Sequence, residues 1–194
     1  MRVARTVLLS AVFASAAALA LAASPEIGSA APDFSLTTID GKTLSLSEAA
    51  KTHKAVVVMF IATKCPYSNA YNDRMRDMAA AYTNKGVLFI GINSNKTEPL
   101  AEVAAHAKEH GHTFPIAKDP DNKVADLYGA GHTPEVYVVT PDGKLRYHGR
   151  IDENYEDPSK VTSPDLKNAL DELLANKTVA KAETKAFGCS IKRV

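Results

Sequence analysis

The apolar run from Ala55 to Ala62 constrains this chain more than any other segment. It is too short for a buried helix, carries three consecutive valines, and reads as a strand covered on both faces. Thr63-Lys64-Cys65-Pro66 follows at once, and from Asn69 the pattern turns helical. Pro66 suits the first turn of a helix, where a missing N–H costs nothing. Cys65 therefore stands at a strand-to-helix junction, where unpaired N–H groups and the positive end of the helix dipole favour thiolate over thiol. Lys64 adds positive charge beside it. The alternative is a small buried cysteine filling a gap in the core. The junction favours a reactive thiol.

The N-terminus bears on the compartment. Arg2 and Arg5 precede an alanine-rich apolar stretch from Thr6 to Ala23, and Ala20-Leu21-Ala22 has the small-residue pattern of a cleavage site. Residues 1–22 are thus expected to be a signal peptide, the alternative being an uncleaved anchor. Cleavage would take the formal charge from +1 to −1. A near-neutral mature chain has no basic surface for nucleic acid and no affinity for an acidic membrane. The expectation is an exported protein, periplasmic or secreted.

The remaining length suits one domain, residues 23–176, followed by a tail, residues 177–194. The two cysteines are Cys65 and Cys189, and export permits a disulfide between them. Such a bridge would close a loop of over 100 residues, for which chain-entropy arguments give about 4–5 kcal/mol. A domain of this size does not need that staple, so a functional dithiol, or two thiols with separate roles, is preferred over a structural disulfide. Gly188 and Ser190 around Cys189 suggest a mobile tail that reaches the reaction centre intermittently.

Along the chain, Phe34–Leu36 and Thr43–Leu46 flank Asp40-Gly41 and predict an N-terminal β-hairpin. Lys54–Ile61 and Val87–Ile92 predict buried parallel strands. Helices are expected over Asn69–Asn84, Glu98–Glu109, Asp121–Tyr128 and from Asp165 to about Asn176. Glu135–Thr140 and Lys144–Gly149 form a second hairpin across Pro141-Asp142-Gly143. The order predicts an α/β fold with a central mixed sheet and helices on both faces.

Ala31-Pro32-Asp33-Phe34, Asp40-Gly41, Phe60-Ile61-Ala62 ahead of Cys65, Tyr128-Gly129 and Thr133-Pro134 occur in an order that resembles the thioredoxin-fold redoxins. That group holds the peroxiredoxins and the exported TlpA-like reductases. The likeness covers roughly Gly28 to Asn176. It implies a thioredoxin-like fold, with Thr133-Pro134 as a cis-proline loop facing Cys65. It also implies a substrate site around Thr63, Lys64, Pro66, Ser68, Thr133 and Pro134. The departures are specific. Ser68 stands where a dithiol thioredoxin has its second cysteine, and Met59 where it has a buried Asp. Val58 and Ala62 stand where a peroxiredoxin has Pro and Thr, and the peroxide-binding Arg is missing near Pro134. The chain looks most like a peroxiredoxin-like branch with a Cys-Pro-x-Ser-Asn-Ala-Tyr segment and a closing Gly-Cys-Ser.

The expected activity is that of a thiol-dependent oxidoreductase needing no cofactor. Cys65 would be its nucleophile and Cys189 its candidate resolving thiol. The substrate would be a protein disulfide or a hydroperoxide, and an external reductant would recycle the enzyme. The competing class is a binding module that holds a metal or a partner through Cys65. His106, His110 and His112 can reach one another at helical spacing, but a last-turn cluster complementing the dipole is the plainer reading. Asp119-Pro120-Asp121-Asn122 reads as a turn and helix cap. Arg74 and Arg76 are expected on a solvated face.

Overall fold

The structure is a computed structural model that describes residues 24–194; the expected signal peptide lies outside the described residues. The first elements are β1 (Ser35–Thr37), β2 (Thr43–Ser45), α1 (Leu46–Thr52), β3 (Ala55–Phe60), α2 (Pro66–Ala70) and α3 (Asn72–Thr83). Then come β4 (Val87–Asn93), α4 (Leu100–Glu109), β5 (Ile116–Lys118), α5 (Lys123–Tyr128), β6 (His132–Thr133) and β7 (Glu135–Val139). The chain closes with β8 (Leu145–Gly149), α6 (Asp165–Leu174) and β9 (Cys189–Ser190).

The central sheet has five strands in the order β5-β4-β3-β7-β8. β3, β4 and β5 run parallel, while β7 is antiparallel to β3 and β8 to β7. This is the mixed sheet the element order predicts. β3 is buried along its whole length because both its faces are covered. Val57, Met59 and Ile61 pack with Met75, Tyr82, Val103 and Leu166 of α3, α4 and α6. Val56, Val58 and Phe60, on the opposite face, pack with Leu46, Ala49 and Tyr128 of α1 and α5. The two-residue side-chain period of a strand divides one apolar run between two cores.

The structure adds α1, β5, β6 and β9, which the sequence reading does not contain, and changes three other features. The second hairpin strand stops at Ser45, because Ser45 caps α1 by accepting the Glu48 N–H at 3.4 Å. The helix expected over Asn69–Asn84 starts at Pro66 and breaks at Tyr71, whose N–H reaches back only to Ser68 O. The largest correction concerns the tail. It is docked along its length and is not a loose arm. His148 N–H donates to Ala182 O, Thr184 N–H to His148 O, Ile191 N–H to Gly131 O, and Lys96 N–H to Lys192 O. Ile191 is buried in the second core.

Candidate active site

Cys65 is the N-cap of α2, with extended backbone and Pro66 as the first helical residue. Its sulfur accepts the Ser68 N–H at 3.4 Å and donates its own proton to Thr133 O at 3.2 Å. Thr133 lies in β6, and the Thr133–Pro134 bond is cis. The residue opposite Thr133 in the ladder is Cys189. Docking of the tail therefore places the second cysteine beside the first, although 123 residues separate them in sequence. Both are free thiols.

Their environments differ. Burial pushes the Cys65 thiol up, but hydrogen bonds to the thiolate from Cys189, the Thr133 side chain and the Ser68 N–H outweigh it. The Cys65 thiol is therefore held below its ordinary value. The Thr133 hydroxyl is buried and has no hydrogen-bond partner, so an ionised sulfur beside it would supply one. Cys189 is pushed up to about 11, by burial first and then by Cys65 itself. The pair thus holds one thiol that ionises readily and one that keeps its proton.

Two buried carboxylates hold the loops that meet at Cys65. Glu98 accepts the N–H groups of Thr63 at 2.9 Å and Lys64 at 3.0 Å, and the side-chain amides of Asn93 and Asn95. Glu135 accepts the N–H groups of Gly131 at 2.8 Å and His132 at 2.9 Å, with Tyr137 and His148 on its other oxygen. Burial raises the pKa of each, and the hydrogen bonds more than reverse this, so both stay below the ordinary glutamate value. Sequence reading missed both residues. Glu98 meets the loop of Thr63 and Lys64 only through the tertiary fold, and Glu135, which opens β7, carries no sign in the sequence that it is buried and bonded to the N–H groups just before it.

The expected site residues are partly redistributed. Lys64 pairs with Glu102 at 2.8 Å and donates to Thr97 O, so its ammonium is engaged by these partners. Thr63 donates its hydroxyl to Glu102. Ser68 is buried, and its hydroxyl accepts the Ala62 N–H at 3.1 Å, which braces the loop instead of facing a ligand. Pro66 is exposed at the start of α2. The backbone edge at Thr133 is covered by β9. A cavity of about 140 Å³ remains open, lined by Lys64, Cys65, Thr97, Cys189, Ser190 and Lys192.

Other readings are settled by contacts. Arg74 is not on a solvated face. Its side chain is 15 % exposed, and its guanidinium binds Asp152 and the carbonyls of Asn154 and Tyr155. Arg76 pairs at the surface with Asp73 and Asp77. Asp119 accepts the Val124 and Ala125 N–H groups at the start of α5. His112 stacks on Phe114 at 4.9 Å, and burial pushes its pKa down to about 4. Among the described residues no group of three or more His, Cys, Asp or Glu is arranged to hold a metal, and no helix is long and apolar enough to cross a membrane.

The sequence profile of the AhpC/TSA family matches residues 27–148. The chain belongs to the AhpC/TSA family. Its fold is that of the thioredoxin-like redoxins. A curated relative, thiol-disulfide oxidoreductase ResA of Oceanobacillus iheyensis, is 34 % identical over 61 % of this chain and 62 % of its own length. The chain thus spans less than two thirds of that relative. Two solved structures are similar over nearly the whole fold. A hypothetical protein from Sinorhizobium meliloti has a TM-score of 0.81 at 32 % identity, covering 89 % of this chain and 97 % of that one. An uncharacterized conserved protein from Geobacillus kaustophilus has a TM-score of 0.80 at 34 % identity, covering 86 % and 92 %.

Proposed function

We propose that the protein is an exported thiol oxidoreductase in which Cys65 is the nucleophile and Cys189 the resolving thiol. The observation that carries this is the seating of Cys189 opposite Thr133, beside a Cys65 sulfur whose surroundings favour the thiolate. Membership of the AhpC/TSA family and likeness to a named thiol-disulfide oxidoreductase support the reaction type. The alanine-rich N-terminal segment supports export.

The docked tail favours a small oxidant. Its β9 strand covers the edge on which an extended peptide would pair, while the cavity at the two sulfurs admits a small hydroperoxide. The Cys65 thiolate takes the distal oxygen of the hydroperoxide, becomes a sulfenic acid and releases an alcohol or water. The Cys189 thiol then attacks that sulfur. Water leaves and a Cys65–Cys189 disulfide forms. A protein disulfide would reach the same product through a mixed disulfide on Cys65, once the tail has moved aside. An external thiol reduces the disulfide to restart the cycle.

The test is stoichiometric oxidation followed by non-reducing peptide mapping. Hydrogen peroxide is expected to yield the Cys65–Cys189 disulfide in the wild type and a dimedone-reactive Cys65 in Cys189→Ser. If wild-type Cys65 stays sulfenic and Cys189 stays free, the resolving role is wrong.

A further inference from the structure

The two sulfurs are unequally accessible, and this bears on how a disulfide between them is opened. Cys65 is 3 % exposed, enclosed by Thr133, Ser68 and the tail. Cys189 is half-buried on β9, and its neighbour Ser190 is exposed. Lys192 lies beside it, its ammonium 3.4 Å from the Ser190 hydroxyl and close enough to Cys189 to favour negative charge on that sulfur. Lys64 (itself paired with Glu102), Lys192 and the Glu98 carboxylate line the cavity that both cysteines share.

We propose that the recycling thiol attacks the sulfur of Cys189 and expels Cys65 from the disulfide. The inference rests on the two-cysteine couple proposed above. In the first step the incoming thiolate donates its electron pair to Cys189 Sγ and forms a mixed disulfide there. The electrons of the broken S–S bond leave on Cys65 Sγ as a thiolate. A second thiol then attacks the mixed disulfide, and Cys189 leaves and takes up a proton. Two thiols are oxidised to one disulfide, and the enzyme disulfide is reduced to two thiols.

Access and chemistry agree on this direction. In thiol–disulfide exchange the sulfur of lower pKa is the better leaving group. Attack on Cys189 releases Cys65, whose thiolate is met by the Ser68 N–H and the Thr133 side chain. Attack on Cys65, 3 % exposed at a cavity of only about 140 Å³, would have to bring the larger thiol into that space and release Cys189, the poorer leaving group of the two. The tail therefore carries the sulfur on which the reductant is held. Lys192 at the cavity rim suits a partner that arrives as a thiolate.

The experiment uses the wild-type chain and reduced glutathione as the probe. The oxidised protein is first mapped without reductant to establish the Cys65–Cys189 disulfide. It is then pulsed with glutathione for a short time and quenched with N-ethylmaleimide, and both cysteine peptides are quantified. Glutathione on Cys189 with maleimide on Cys65 is expected, in at least tenfold excess over the reverse pattern. Equal amounts, or an excess of glutathione on Cys65, would overturn the inference and leave the couple intact. Absence of the disulfide in the first map would overturn both.

Discussion

At the residue scale, Thr133 is the most informative side chain after the cysteines. Its carbonyl accepts the Cys65 thiol proton, while its buried hydroxyl has no other partner. The carbonyl favours the neutral thiol and the hydroxyl favours the thiolate. Thr133→Val removes only the hydroxyl at nearly constant volume, so the Cys65 pKa is expected to rise toward that of an ordinary thiol. Alkylation of Cys65 followed against pH should show its midpoint displaced upward, with a several-fold slower rate at neutral pH. An unmoved midpoint would remove the hydroxyl from the account. The sequence motifs were enough to bring Cys65, Thr133 and Pro134 to one place. They gave no hint of Glu98, whose N–H donors Thr63 and Lys64 belong to a distant loop, or of Glu135, whose N–H donors are close in sequence but whose burial beside His148 depends on the packing of β7 against β8.

At the element scale, β9 decides whether the site is complete. It consists of two residues, and Gly188 in front of it has a φ of +141°, where an added Cβ would collide with the Thr133 carbonyl oxygen. Phe187 packs against Tyr67 and Tyr155, whose rings lie 4.4 Å apart, and fixes the approach of the strand. Gly188→Ala is therefore expected to lift β9 from β6 while leaving the central sheet in place. Closure of the Cys65–Cys189 disulfide after peroxide treatment should slow at least tenfold, and Cys189 should alkylate faster in the reduced protein. Wild-type rates for both would mean that the strand tolerates a side chain there. The long apolar strands and most helices were legible from period and caps. α1 was missed although Ser45-x-x-Glu48 is a capping-box pattern, since Leu44-Ser45-Leu46-Ser47 also alternates like a strand. β9 left no local signal, because its pairing is wholly long-range.

For the whole molecule, the tail belongs to the folded body as much as to the site. Ile191 fills a place in the second core, and full burial of such a side chain is worth about 1.5–3 kcal/mol. Lys96 N–H donates to Lys192 O, Lys192 N–H to Asn95 Oδ1 and Ile191 N–H to Gly131 O, which fastens the tail to the loops beside α4 and α5, and each bond is worth about 1 kcal/mol net. Cys189 contributes little to this attachment in the reduced protein, since its ladder partners bond through the backbone. Stability and chemistry are therefore separable. Because ordering the tail costs conformational entropy that offsets part of these contacts, a chain ending at Ala186 is expected to lose about 2–4 kcal/mol net under reducing conditions, lowering Tm by roughly 5–15 °C. Cys189→Ser should stay within about 1 kcal/mol of wild type while losing the disulfide. Thermal melts in reductant, run beside peroxide oxidation of the same proteins, read both quantities. If the truncated chain melts with the wild type, the tail is not seated in the reduced protein, and Cys189 reaches Cys65 only by diffusion of a loose arm. If Cys189→Ser falls as far as the truncation, the thiol is itself part of the packing, and its loss of turnover could no longer be assigned to resolution alone.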